Sequence, residues 1–202
     1  MKKHLIALAA VAAALAAPLA QAQDTGSWIV RGRVLHLDAA NKGSVADVSG
    51  ITLENKTFPE VDISYFFTPN LAAELVLTYP QKHDLMAGGA AIGSIKHLPP
   101  TLSLQYHITG LQGFRPYVGA GINYTRFSGF KLNSGAATDV DKNSFGLAIG
   151  AGADIPLSGG WLLNVDLKKV QIRAKDVTAG GANLGTLKVD PVLFSLGVGY
   201  RF

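Results

Sequence analysis

Three histidines in the middle of this 202-residue chain are the residues best suited to chemistry: His83, His97 and His107. An imidazole can bind a metal or act as a general base near neutral pH. No dense group of carboxylates accompanies them in the sequence, and the alternation of their neighbours places His97 and His107 on a polar face. We therefore interpret them as ordinary hydrogen-bonded residues and predict no metal, no cofactor and no enzyme activity.

Two short glycine patterns could suggest nucleotide binding, namely Gly119-Ala-Gly121 and Gly150-Ala-Gly152. Both lack the third glycine and the strand-to-helix context of a dinucleotide fingerprint, so we interpret them as space-saving positions. The chain contains no Gly-x-Ser-x-Gly nucleophile motif and no cysteine, which excludes disulfides and thiolate chemistry. A lipid-modifying enzyme that assembles its catalytic groups from separate loops remains an alternative.

Charged side chains form the second candidate group. They recur at every second position of extended segments, opposite an apolar face, as the two-residue period of a β-strand predicts. This set holds five bases and five acids: Arg31, Arg33, Arg115, Lys168, Arg201, Glu60, Asp62, Glu74, Asp154 and Asp166. On a solvated surface such a balance of acids and bases would be ordinary. Inside a closed barrel these residues would form an interlocked plug of ion pairs.

The C-terminal stretch indicates which of these environments applies. Phe194, Leu196, Val198, Tyr200 and Phe202 alternate with small residues and one arginine. One face of this strand is wholly apolar and the chain ends on an aromatic residue, which is typical of the closing strand of an outer-membrane barrel. The alternative is the last strand of a soluble sandwich.

Seven earlier segments share this period, at about 27–37, 58–68, 71–86, 92–109, 114–130, 143–155 and 161–176. Long loops are expected near 38–57, 87–91, 131–142 and 177–184, and short turns near 69, 111 and 158. Outer-membrane barrels alternate short periplasmic turns with longer external loops, and closure leaves no unpaired edge in lipid. The sequence therefore predicts an all-β fold, an eight-stranded antiparallel up-and-down transmembrane β-barrel, with the charged set as a plug in its lumen.

Residues 1–22 read as a cleaved secretory signal peptide, because a basic start precedes an apolar run and Ala20-Gln-Ala22 offers a cleavage site. The apolar run is shorter than the roughly 20 residues of a membrane-spanning helix. Residues 23–202 then form a single barrel domain. Removing Lys2 and Lys3 lowers the formal charge from +4 to +2, and the longest basic run is Lys168-Lys169, so no nucleic-acid partner is expected.

Aromatic residues near the ends of the apolar faces predict girdles at both membrane interfaces. They are Trp28, Tyr65, Tyr79, Tyr106, Tyr124, Trp161, Tyr200 and Phe202. The predicted location is the outer membrane of a Gram-negative bacterium, with outer-membrane lipid and lipopolysaccharide as surroundings.

Several motifs together resemble the outer membrane protein W (OmpW) family. They are His97-Leu-Pro-Pro-Thr-Leu102, Phe114-Arg-Pro-Tyr-Val-Gly-Ala-Gly-Ile-Asn-Tyr124, Asp190-Pro191 and Gly199-Tyr-Arg-Phe202. The resemblance implies a barrel that admits small hydrophobic molecules through an apolar loop-side pocket, with a lateral exit into the membrane. The C-terminal Phe202 implies recognition by the barrel-assembly machinery. A non-transporting barrel serving envelope integrity, adhesion or reception is the alternative.

The candidate pocket residues follow from the inward parity in the loop-side halves, and Val76 and Lys168 occupy positions where the resemblance implies large apolar gate residues. The candidate pocket and gate residues are Leu35, Leu37, Val76, Phe127, Lys168, Val170 and Ile172. Phe66 and Leu193 share that parity but stand nearer the turn side, and the pattern leaves open whether Lys168 points into the lumen. Pro99 and Pro100 remove two successive strand donors, which makes them a candidate lateral opening or merely a kink that shapes the strand.

Overall fold

The computed structural model of the protein describes residues 28–39 and 51–202, and the predicted signal peptide lies outside them. No described segment forms a helix long and apolar enough to cross a membrane. The described residues form fourteen β-strands: β1 (Trp28–Asp38), β2 (Ile51–Leu53), β3 (Lys56–Phe66), β4 (Leu71–Leu77), β5 (Gln81–Ala87), β6 (Ala90–Leu98), β7 (Thr101–His107), β8 (Arg115–Leu132), β9 (Thr138–Asp139), β10 (Asn143–Pro156), β11 (Trp161–Val170), β12 (Arg173–Ala179), β13 (Ala182–Lys188) and β14 (Val192–Arg201).

Eight of these strands close into a barrel. The order around the ring is β1, β3, β4, β7, β8, β10, β11 and β14, and every neighbouring pair is antiparallel. Strand β14 returns to β1 in a continuous register from Ile29 opposite Arg201 to Asp38 opposite Val192. The Phe202 N–H also donates to the Trp28 carbonyl oxygen at 3.0 Å. The predicted eight-stranded antiparallel up-and-down barrel is confirmed.

The two-residue period decides which side chains enter the lumen. Along β1, exposed and buried residues alternate from Trp28 to Asp38 without interruption, and β11 follows the same rule. Ile29, Leu35 and Leu37 are buried with the two arginines of β1, while Val30 and Val34 face outward. The apolar faces of the other barrel strands are likewise exposed, as a surface in contact with lipid requires.

Aromatic side chains collect at the end of the barrel that carries the chain termini and short turns. The Trp28 and Tyr65 rings lie 4.7 Å apart, and Trp161 and Tyr200 lie 5.2 Å apart. Tyr200 also contacts Phe202 at 5.0 Å. The first pair joins β1 to β3 and the second joins β11 to β14, and together with Phe202 they form the turn-side girdle.

Two expected loops turn out to be strand extensions. Residues 87–91 and 177–184 were expected as loops, but β5 pairs with β6 and β12 pairs with β13 up to two-residue turns. The turns are Gly88-Gly89 and Gly180-Gly181, whose φ angles are 57° and 82° in each case. Positive φ at both central residues defines the hairpin turn that matches strand twist, and glycine adopts it without strain. The β5–β6 and β12–β13 hairpins therefore continue the barrel wall beyond the bilayer.

Each extension is separated from its barrel strand by a short break. The wall is interrupted between β4 and β5, β6 and β7, β11 and β12, and β13 and β14. Pro80, Pro99, Pro100 and Pro191 lie in or beside these breaks. Proline cannot donate to a β ladder, so these residues end the pairing.

Candidate functional site: the lumen network and the cavity above it

Arg31 anchors the lower part of the lumen network. Its side chain is fully buried, and its Nη1 donates to Asp62 Oδ1 at 2.7 Å and to Ser64 Oγ at 2.8 Å. Its Nη2 and Nε donate to Asp154 Oδ2 at 2.7 Å and Oδ1 at 3.0 Å. The planar guanidinium thus ties β1 to β3 and reaches across the lumen to β10. Such bidentate pairs fix both the distance and the orientation of their partners.

Arg33 and Lys168 form the upper layer. Arg33 Nη2 lies 2.7 Å from Asp62 Oδ2 and 2.8 Å from Glu74 Oε1. Lys168 Nζ lies 2.8 Å from Glu74 Oε2 and 3.4 Å from Asp166 Oδ1. All of these side chains are almost fully buried, and Lys168 points into the lumen. The network therefore connects strands on opposite sides of the barrel and fills its middle.

Two arginines of the predicted plug lie outside the buried network. Arg115 has inward parity, but it begins β8 at the turn side and is exposed. Arg201 is half-buried, with its guanidinium 4.7 Å from the centre of the Phe66 ring. Parity predicts the face of the sheet correctly, whereas the height of a residue along the barrel decides whether the lumen or water surrounds it. The buried part of the network holds five carboxylates and three cations: Glu60, Asp62, Glu74, Asp154, Asp166, Arg31, Arg33 and Lys168.

Two uncharged side chains complete the network and were missed in the sequence. The buried Tyr117 hydroxyl donates to Asp166 Oδ2 at 2.8 Å. Asn164 Nδ2 donates to Asp154 Oδ1 at 2.8 Å and to the Tyr117 hydroxyl at 3.1 Å. A Cβ on Gly152 would collide with the Tyr117 ring, so this glycine makes the room that Tyr117 occupies.

Above the network, the lumen becomes apolar. Buried side chains from the barrel and from both hairpin extensions pack into one cluster, against which Leu193 also packs. We call this set the apolar cap: Leu35, Leu37, Ala39, Leu53, Phe58, Leu85, Ile95, Phe127, Val140, Ala148, Val170, Ile172, Ala174, Val177, Leu187 and Val189. The cap lies on the loop side, where the resemblance placed an apolar pocket.

A small cavity lies between the apolar cap and the charged network. Its free volume is about 20 Å³, which holds roughly one water molecule. Its lining combines apolar residues of the cap with charged residues of the network and polar residues of the wall. The lining consists of Leu35, Leu37, Phe58, Glu60, Val76, Thr78, Pro99, Thr101, Asn123, Asp166, Lys168, Val170, Ile172, Leu193 and Ser195.

The structure brings six of the seven candidate pocket residues to this cavity: Leu35, Leu37, Val76, Lys168, Val170 and Ile172. Phe127 lies higher, within the apolar cap, where its ring faces that of His97 at 6.3 Å. Leu193, which the sequence placed nearer the turn side, lines the cavity because it pairs with Leu37 and Lys168. Phe66 lies at the turn side with Ile29 and Leu162.

The wall of the cavity contains an interruption in the strand ladder. Strand β4 pairs with β7 as far as Val76 opposite Thr101, and β5 pairs with β6 from Gln81 opposite His97. Between these ladders, residues 77–80 and 98–100 do not pair with each other, although all of them belong to the described part of the chain. We call this interruption the strand gap. It contains both candidate residues of a lateral opening, Pro99 and Pro100.

Asn123 holds one side of the strand gap in place. Its Nδ2 lies 3.2 Å from the Pro99 carbonyl oxygen, 3.1 Å from the Pro100 carbonyl oxygen and 2.9 Å from Thr101 Oγ1. On the outer surface, an apolar groove of about 350 Å³ reaches the same place and is lined by Pro100 and Thr101 among others. Thr101 therefore borders both the inner cavity and the outer groove.

The three histidines divide into two environments. His83 and His97 stack in the β5–β6 hairpin, with ring centroids 4.7 Å apart and planes 16° from parallel. Burial lowers the pKa of His97 to about 3 and also lowers the pKa of His83, so both are neutral at pH 7. His107 lies apart, 3.1 Å from Gln105 Oε1. Within the described residues, no three metal-ligating side chains come together.

Comparisons with known proteins agree with this architecture. The model of the OmpW family matches residues 24–202. The uncharacterized outer-membrane protein y4mB of Sinorhizobium fredii is 40% identical over 183 residues, covering 87% of this chain and 80% of that protein. Outer membrane protein W of Escherichia coli K12 is 33% identical over 217 residues, covering the whole of both chains. The crystal structure of OprG from Pseudomonas aeruginosa matches with a TM-score of 0.74 at 28% identity, covering 88% of this chain and 96% of that one.

These matches define the class as integral outer-membrane β-barrels of Gram-negative bacteria. The chain belongs to the OmpW family.

Proposed function

We propose that the barrel admits small hydrophobic molecules from the loop side and releases them sideways into the membrane through the strand gap. The observation that carries this proposal is the position of the cavity. It is bounded above by the apolar cap, below by the charged network and on one side by a wall with an interrupted ladder. An apolar solute there meets favourable contacts with the cap and with the apolar residues of the wall, such as Leu35, Val76 and Val170.

The strand gap supports a sideways exit because little backbone pairing has to be broken. The cavity reaches Thr78 and Pro99 within the gap and Thr101 beside it, and the outer groove is lined by Pro100 and Thr101. A solute passing between them exchanges the apolar cavity for the hydrocarbon of the bilayer. That transfer exposes no apolar surface to water, so it carries no large free-energy penalty.

The cavity must widen to accept a solute, since about 20 Å³ is far smaller than any hydrocarbon of interest. The walls that can move belong to the two hairpin extensions, which are separated from their barrel strands by short breaks, although the β5–β6 hairpin also pairs with the upper end of β8. Displacing them opens the cap without disturbing the ion-pair network beneath. We therefore propose entry by displacement of cap side chains, with the network as a fixed floor.

The name of one relative suggests which class of solute to test. A protein of Pseudomonas aeruginosa that is 31% identical over 116 residues is named a dibenzothiophene metabolism operon protein. That alignment covers 56% of this chain and 54% of the relative. Dibenzothiophene is a flat apolar aromatic. Small aromatics and alkanes are accordingly the probes of choice.

Uptake by cells tests the proposal. A strain lacking the protein should accumulate radiolabelled toluene or octane several-fold more slowly than a strain that expresses it. Val170→Phe, which fills the cavity with a ring, should reduce uptake to the level of the deletion strain. Val118→Phe is the matched control, because Val118 faces outward and is exposed. Equal accumulation in the deletion and complemented strains would refute transport.

The lateral route has its own test. Pro99→Ala with Pro100→Ala restores two backbone donors to the strand gap and should slow release of the solute into the membrane. Pro116→Ala provides a control at a paired strand position of the same barrel. If both variants take up octane at the rate of the unchanged protein, the exit does not run through the gap.

The second candidate function is a non-transporting barrel that serves envelope integrity, adhesion or reception. The closely packed apolar cap favours it, because the cavity beneath it in the described part of the chain has a free volume of only about 20 Å³. The uptake experiment separates the two functions. We further propose cleavage after Ala22, a single domain over residues 23–202, and recognition of Phe202 by the barrel-assembly machinery; no catalytic role forms part of the proposal.

A further inference from the structure

The floor of the cavity carries more negative than positive charge. The buried network holds five carboxylates and only three cations, and two of the carboxylates, Glu60 and Asp166, line the cavity together with Lys168. Arg115 and the half-buried Arg201 stand at the turn side and cannot neutralise this upper end. A charge imbalance in a water-poor lumen is screened weakly, so it acts on whatever enters the cavity.

Glu60 is the least compensated of these carboxylates. Asp62, Glu74 and Asp154 each have a cationic nitrogen within 2.8 Å, whereas the nearest cationic nitrogen to Glu60 is Arg33 Nη1, at 3.6 Å. The other contact of Glu60 is the Ser195 hydroxyl, which donates to it at 3.3 Å.

Both contacts of Glu60 use Oε1. Neither of them uses Oε2. The residue is 5% exposed and lines the cavity. A carboxylate oxygen at the edge of a cavity can accept a further hydrogen bond, and a donor that reaches it gains a charge-assisted bond.

We infer that the cavity selects amphipathic molecules whose apolar chain ends in a hydrogen-bond donor, an ammonium group above all, and that it discriminates against carboxylates. This inference rests on the proposed function, since it concerns the same cavity. The apolar chain lies against Leu35, Val76 and Val170, and the donor reaches Glu60 Oε2. An alcohol supplies the donor without the charge, whereas a carboxylate supplies neither and is repelled by Glu60 and Asp166.

The experiment compares four probes of one chain length: octane, 1-octanol, octylammonium and octanoate. The full barrel is placed in nanodiscs of zwitterionic lipid at pH 8, where ordinary carboxyls are ionised. Empty nanodiscs correct for partition of each probe into lipid. Binding is followed by the methyl resonances of Leu35, Val76 and Val170, which report occupation of the cavity itself.

Octylammonium should bind at least about tenfold more tightly than octanoate, with octanol between them, since a hydrogen bond to a charged group contributes about that factor or more. Glu60→Gln should reduce the ratio of octylammonium to octanoate affinity by about tenfold while leaving octane binding unchanged. Asp84→Asn is the control, because Asp84 is an exposed carboxylate of the β5–β6 hairpin outside the cavity lining. The comparison of probes on the unchanged protein decides the charge preference even if Glu60→Gln does not fold.

The outcomes separate this inference from the proposed function. If octane leaves the cavity methyl resonances unmoved, the proposed function fails and this inference fails with it. If octane binds but octanoate binds as tightly as octylammonium, the charge preference is overturned while the proposed function stands. A preference that persists unchanged in Glu60→Gln would overturn the assignment to Glu60.

Discussion

Replacing Arg33 by methionine tests whether the lumen network stabilises the barrel. Arg33 is the most connected cation of the structure, with Asp62 at 2.7 Å, Glu74 at 2.8 Å, Asp166 at 3.5 Å and Glu60 at 3.6 Å. Methionine is unbranched and flexible, and it fills much of the space of the arginine stem although it lacks the guanidinium. The substitution therefore removes the charge and the hydrogen bonds with little change in packing.

The expected loss of stability is large because the partners remain buried. Without Arg33, five buried carboxylates face only Arg31 and Lys168. Removing one member of a buried pair costs about 3–5 kcal/mol, because the other charge is left uncompensated. The loss should be smaller in Arg33→Met combined with Glu74→Gln than the sum of the two single changes, because they contact each other; coupling of about 0.5–3 kcal/mol is typical of such pairs.

Urea unfolding of the barrel in lipid vesicles measures the effect. The two tryptophans of the chain, Trp28 and Trp161, both lie in barrel strands and report the transition by fluorescence. Arg115→Met is the matched control: the same chemical change at an exposed arginine outside the network, for which a change within about 0.5 kcal/mol is expected. If Arg33→Met and Arg115→Met lower the free energy of unfolding equally, the network does not hold the barrel together.

Three further predictions concern other parts of the chain. Gly121→Ala should destabilise the barrel by about 1–3 kcal/mol, because a Cβ there would collide with the Leu102 carbonyl oxygen, whereas Gly32→Ala meets nothing within 4 Å and should be tolerated; urea unfolding of both decides. The unfolded chain protonates His97 near its ordinary pKa of 6.5 and the folded hairpin only near 3, so the stability of the β5–β6 hairpin should fall as the pH drops between those values, by about 2 kcal/mol at pH 5. Hydrogen exchange of the hairpin amides measures this, and His97→Phe should weaken the pH dependence, leaving the part due to His83, whose pKa burial also lowers. Deleting Phe202 should lower the amount of protein in isolated outer membranes, and an unchanged amount would contradict recognition of the C-terminal aromatic.

The barrel was predictable because its strands have a simple period and a simple environment. Lipid on one side and a polar lumen on the other force the alternation seen in β1 and β14. The Gly88-Gly89 and Gly180-Gly181 turns were interpreted as parts of loops because glycine is equally common in irregular segments. Two adjacent glycines between alternating segments are, however, typical of a two-residue hairpin turn.

The sequence predicts which side chains face the lumen, but it does not predict their order along the barrel axis. Parity places Arg115 beside Arg31, yet Arg115 lies at the water-facing end and Arg31 in the middle of the lumen. Phe58 shares the parity of Glu60 and lines the cavity, and it was overlooked because it is the first residue of the predicted strand, directly after the loop expected at 38–57. Height along a tilted barrel depends on the register between strands, and register follows from pairs such as Leu37 opposite Leu193 that a single sequence does not specify.

The charged network and the strand gap together constrain any route through this barrel. A solute that continued along the axis would have to separate pairs such as Arg33–Glu74 and Lys168–Glu74, both at 2.8 Å, and each broken buried pair costs about 3–5 kcal/mol. A solute that turned sideways at Thr101 would meet residues 77–80 and 98–100, where the ladder is already interrupted. The charged network therefore makes the lateral route through the wall less costly for a solute than the route along the barrel axis. Loss of the network should let solutes pass along the axis, and it should not increase their lateral release.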